Sequence, residues 1–184
     1  MSVINILNIS RFFVFILMFL TLCGADWGID RLFIEGGASS NANSLVIGVD
    51  VNLQNKWLET KHSYIYNYIS VSAGVWTYKS DSQNLKIFDY SVTPVFRYNI
   101  IHSGNLSIFT EAAIGIHLIS SPYLKMDRKL GSDLLFGDHI GIGFSAGEKK
   151  KTEFTYRFKH LSNAGLGRQN EGINFHQIRI GIDL

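Results

Sequence analysis

Alternation with a period of two is the feature that most constrains this chain. Aromatic side chains occupy every second position at Phe154, Tyr156 and Phe158, and His160 and Ser162 continue in the same phase. Residues two apart in a strand point to one side. An apolar face formed by the three rings therefore also carries a histidine and a serine. After a short polar loop the alternation resumes, with Ile178, Ile180, Ile182 and Leu184 set against Gln177, Arg179, Gly181 and Asp183. The spacing predicts a hairpin that ends the chain.

The same period runs through the upstream sequence. Leu45, Ile47, Val49, Val51 and Leu53 oppose Val46, Gly48, Asp50 and Asn52, while Ile69, Val71, Ala73 and Val75 oppose Tyr68, Ser70, Ser72, Gly74 and Trp76. Further strands are predicted over Val92–Tyr98, Leu106–Leu118 and Phe136–Ser145, with a looser one from Leu32 to Ala38. Turn-forming residues separate them at 41–44, 54–56 and 102–105, and longer loops are expected at 79–84 and 120–133. Pro94 has no N–H to donate to a ladder, so a bulge is expected there.

Residues 1–25 read as a secretory signal: Arg11, the apolar run Phe12–Leu22, and a small-x-small cleavage site at Cys23-Gly24-Ala25. The apolar run is too short for a transmembrane helix, which needs roughly 20 residues. Bulky Leu22 before the single cysteine favours simple cleavage over lipidation, and one cysteine permits neither a disulfide nor a cysteine metal site. The mature chain, 26–184, is then one domain with about 20 residues for each of eight strands and their connections. Near-neutral charge and two prolines disfavour a nucleic-acid binder or a disordered chain.

Alternation alone fits a soluble sandwich or lipocalin-like barrel as well as a membrane barrel. The face opposite the apolar one carries Asp50, Asn52, Arg97, Glu111, Arg179 and Asp183 among small residues, as a polar barrel interior does, and tyrosine and tryptophan near strand ends suggest interfacial girdles. The expected fold is an all-β, eight-stranded antiparallel outer-membrane barrel, with both termini on the periplasmic side. His160 and Ser162 then face the outer leaflet.

A polar pair near the membrane boundary costs little, about 0–1 kcal/mol, and so needs no function. Alternatively His160 acts as general base on the Ser162 hydroxyl, since a serine is a weak nucleophile without an adjacent base. Two residues of strand rise place their Cβ atoms about 6–7 Å apart, within side-chain reach. A turn over Asn163-Ala164-Gly165 can aim backbone N–H groups at a developing oxyanion, with the Asn170 amide as a further donor. His62, His102, His117 and His139 show no partner spacing, and neither a metal site nor a cofactor is expected.

The run His160-Leu161-Ser162-Asn163-Ala164-Gly165, followed by Asn170, Gly172 and a final alternating strand, resembles the lipid A 3-O-deacylase (PagL) family. The resemblance implies an eight-stranded outer-membrane barrel and a serine esterase that removes the 3-linked hydroxyacyl chain of lipid A, with His160 and Ser162 in the family's His and Ser positions. The family's third member is a glutamate about a dozen residues after the serine, where this chain has Asn174, with Glu171 nearby. Asn174 shares its phase with His176, Ile178 and Ile180 and so faces outwards beside His160, which makes it the expected orienting group and Glu171 the alternative. Lipid A in the membrane is the implied partner; homodimer formation is left open. Lys125, Arg128, Lys129 and Arg168 are candidate phosphate contacts. A phospholipase barrel is disfavoured by the short chain, and a structural or adhesive barrel leaves the His-x-Ser-Asn-Ala-Gly run unexplained.

Overall fold

Each alternating segment becomes a strand, and most run past their predicted ends. The computed structural model describes residues 28–79, 84–125, 128–148, 151–167 and 169–184, with backbone alone at 54, 55, 125, 128 and 129. The signal segment, part of the loop at 80–83 and Arg168 lie outside the described residues. The strands are β1 (Arg31–Ala38), β2 (Ala42–Trp57), β3 (Tyr64–Lys79), β4 (Asn84–Ser103), β5 (Leu106–Ile119), a small hairpin β6 (Tyr123–Lys125) and β7 (Arg128–Lys129), then β8 (Leu134–Ala146), β9 (Thr152–Ser162) and β10 (Ile173–Asp183). All but β6 and β7 form one closed antiparallel barrel, in which β10 pairs with β1 from Arg31↔Asp183 to Ala38↔His176. Closure leaves no sheet edge, so the backbone polar groups of the spanning strands are paired within the wall instead of facing lipid at an open edge.

The direction of the side chains decides between soluble and membrane barrels. Ile47, Ile114, Ile140, Ile142 and Ile178 are each more than half exposed, at 60%, 67%, 65%, 56% and 56%. An apolar outer wall of this extent is stable only against hydrocarbon. Inside, Arg97 donates to Glu111 Oε2 (Nη2, 2.6 Å) and Glu153 Oε1 (2.9 Å), and Arg157 to Glu111 Oε1 (2.6 Å) and Glu35 Oε2 (3.1 Å). Arg31 pairs with Glu153 and Asp183, and Arg179 with Asp50. Buried charges persist only when paired in this way.

The lumen is closed at the rim away from the chain ends. Trp76, Tyr78, Ile87, Leu135 and Phe175 point inwards there, and Leu124 within β6 and Leu130 just after β7 complete a buried apolar plug. Trp76 and Tyr78 therefore fill the interior instead of forming part of a girdle. Their phase, shared with Tyr68 and Ser70, accounts for this. Trp57, Tyr98 and Phe96 do face outwards, with Trp57 and Phe96 stacked at 6.3 Å. Pro94 produces no bulge: β4–β5 pairing skips Thr93 and Pro94 but resumes in the same register, from Val92↔Ile116 to Val95↔Ala113. The register shift in that ladder lies between Asn99 and Ile101 instead.

Candidate active site

The hairpin β9–β10 carries the predicted pair at the far rim, opposite the chain ends. Phe154, Tyr156 and Phe158 are exposed while Glu153, Thr155 and Arg157 are buried, so His160 and Ser162 continue the outward phase. Register places Asn174 of β10 directly across from His160, and Phe136 of β8 across from Ser162. His160 Nδ1 lies 2.5 Å from Asn174 Oδ1. A carbonyl oxygen accepts, so Nδ1 carries the proton and Nε2 is left with its lone pair. That is the tautomer a general base needs.

The imidazole is confined from the loop side as well. Gly172 has φ of +63°, and a Cβ there would lie 2.7 Å from His160 Cε1. Only glycine fits both the left-handed backbone and the close approach of the ring. A shallow groove crosses the closure seam beside this ring, between Ser39 and Ser40 of the β1–β2 turn and Phe158, His160, Asn174 and His176. Glu171 borders the same groove from the loop, while Asn174 is hydrogen-bonded to His160.

The loop after Ser162 is held by its own amides. Asn163 is fully buried; its Nδ2 donates to Leu130 O (2.8 Å) and Gln169 O (2.7 Å), and its Oδ1 accepts from Gly165 N–H at 2.9 Å. The Asn163 N–H donates to Asn170 Oδ1, also at 2.9 Å. In this conformation the N–H groups of Asn163 and Gly165 serve the loop, and the donor that remains on Asn170 is its NH2 group. Asn163 thus ties the β9–β10 loop to the segment following β7.

One neighbour escaped the sequence reading, and a second, His176, was placed there by its phase alone. Asp138 of β8 is the cross-strand partner of His160 on the side away from Asn174, and its signal was a carboxylate in phase with Phe136 and Ile140. His176 lies two residues deeper than Asn174 on β10, its Nδ1 2.7 Å from Tyr156 Oη and its ring 5.2 Å from that of Phe158. His117 and His139 are buried in the lumen, His117 against Asp89 at 2.9 Å. Among the described residues no group of three or more metal-binding side chains converges.

A closed barrel with hydrocarbon-facing walls and a histidine–serine pair on that outer surface defines an outer-membrane β-barrel with a candidate hydrolytic site. Residues 44–183 match the family model described as lipid A 3-O-deacylase (PagL). The chain belongs to that family of outer-membrane ester hydrolases. It is 31% identical over 108 residues to lipid A deacylase PagL of Bordetella bronchiseptica, covering 59% of this chain and 57% of that protein, so the match spans just over half of that relative's length. It is 27% identical over 143 residues to lipid A deacylase PagL of Pseudomonas aeruginosa, covering 78% of this chain and 79% of that protein. Its fold is similar to the crystal structure of the outer membrane enzyme PagL, with a TM-score of 0.73 and 25% identity over 84% of this chain and 99% of that one.

Proposed function

We propose that this protein removes the 3-O-linked hydroxyacyl chain from lipid A, with Ser162 as nucleophile and His160 as general base. The observation that carries the reading is the His160–Asn174 hydrogen bond on the outward wall, which frees Nε2 in the phase that also presents Ser162. Nε2 takes the Ser162 proton as the hydroxyl oxygen attacks the ester carbonyl, and the tetrahedral oxyanion is met by the Asn170 NH2 group. Asn163 and Gly165 shape the loop that presents Asn170. Collapse transfers the proton from His160 to the sugar 3-oxygen, which leaves as a hydroxyl, and water then cleaves the acyl-serine by the same base.

The outward position of the pair suits an ester held in the outer leaflet, because its acyl chain can lie along the apolar wall below His160. Detergent-folded protein incubated with lipid A is expected to yield, by mass spectrometry, lipid A lighter by one hydroxyacyl group. Unchanged lipid A with a folded barrel would leave the reading without support.

A further inference from the structure

Among the described strand residues, Glu35, Asp50, Asp89, Glu111, Glu153 and Asp183 all lie in the inward phase. Asp138 does not. It is exposed on the lipid-facing wall, with Ile140 two residues along β8 and Ile114 as its partner on β5, these being 65% and 67% exposed. A carboxylate on such a wall is unfavourable and calls for a reason. Its partner on the other flank is His160.

His160 thus stands between Asn174 on β10 and Asp138 on β8, and directly opposed residues have Cβ atoms only about 4.5–5.5 Å apart. Asn174 fixes the imidazole by accepting from Nδ1, yet a neutral amide gives no electrostatic help to the imidazolium formed when the Ser162 proton arrives. A carboxylate supplies both services at once. We propose that Asp138 is a positioning residue acting through His160: its charge stabilises the imidazolium that neutral Asn174 leaves uncompensated. Orientation comes from one neighbouring strand and charge from the other. The inference rests on the base assignment made above.

The other ionisable groups near His160 do not substitute for it. Glu171 approaches from the exposed β9–β10 loop, where solvent screens its charge. His176 faces the same groove from β10 with its Nδ1 engaged by Tyr156. Asp138 alone among the nearby carboxylates is set in the apolar wall, where a charge acts over cross-strand distances with less screening.

The test measures kcat and KM for deacylation of lipid A by detergent-folded protein, with gel heat-modifiability confirming the fold of every variant. Asp138→Asn is expected to lower kcat by about tenfold with little change in KM, a modest share of what a positioned base contributes. Asp138→Glu should restore kcat, and Asp138→Ser provides a second neutral variant in case the amide disturbs folding. With Asn174→Glu already in place, Asp138→Asn should alter kcat by less than about twofold, the charge now being supplied from β10. Equal losses in the two backgrounds, or a kcat untouched by either neutral variant, would overturn the proposal. Ser162→Ala is assayed alongside: retained activity there overturns the underlying serine–histidine reading, an outcome separate from the behaviour of Asp138.

Discussion

His160 and Asn174 are joined across adjacent strands at a directly paired position, Nδ1 to Oδ1, at 2.5 Å. The contact depends on the β9–β10 register, since a slip of one residue would turn Asn174 into the lumen. Asn174→Ala should lose much of the deacylation rate, Asn174→Glu should retain or raise it, and Glu171→Ala should change it little. Turnover of lipid A by the three variants decides the matter; damage from Glu171→Ala with a neutral Asn174→Ala would place the orienting group in the loop.

Ser162→Ala and His160→Ala should each abolish turnover with the barrel intact, and the double variant should be scarcely worse than either single one. Groups that act as a unit are not additive. Rates for the three proteins, each shown to be heat-modifiable, test this, and full activity in Ser162→Ala would remove that residue as nucleophile.

Gly172→Ala should cost activity without unfolding the wall. The added Cβ would sit 2.7 Å from His160 Cε1 on a backbone at φ +63°, so the ring must move or the loop must shift. Misplacement of a reacting group by about 1 Å can cost on the order of 100-fold. A fall of about ten- to a hundredfold in kcat, with circular dichroism unchanged, is the expected result; wild-type kcat would show that the loop yields freely.

Arg97→Met should destabilise the barrel. Its guanidinium is 1% exposed and contacts both Glu111 and Glu153, which lose a partner in a buried setting. Removing one member of a buried ion pair costs about 3–5 kcal/mol, and the urea midpoint of the folded protein in lipid vesicles should fall accordingly. Adding Glu153→Gln to Arg97→Met should recover part of the loss, because it removes one of the uncompensated charges.

Much of this architecture was legible because a barrel wall with buried polar groups on one side and hydrocarbon on the other writes its phase into the spanning strands. The phase of Phe154, Tyr156 and Phe158 placed His160 and Ser162 on the outward face, where the strand carries them, and the phase of Ile178 and Ile180 did the same for Asn174. Asp138 was hidden for a different reason. Its importance comes from standing opposite His160, and pairing register between β8 and β9 depends on where each strand begins, which alternation does not fix. The plug was hidden too: Leu124 and Leu130 belong to a segment read as a plain loop, and their burial depends on the hairpin folding over the rim. Asn163 and Gly165 were read as donors to an oxyanion because a turn follows Ser162; here the Asn163 N–H donates to Asn170 Oδ1 and the Gly165 N–H to Asn163 Oδ1, a pairing that alternation does not reveal.

The outward aim of His160 and Ser162 has a kinetic consequence. A molecule reaching this pair along the hydrocarbon-facing wall arrives by lateral diffusion within a leaflet, since the lumen behind it is closed at this rim by the apolar plug. Occupancy of the site is then set by the surface mole fraction of the ester, and adding inert amphiphile at constant bulk ester concentration slows the reaction by diluting the plane in which the encounters occur.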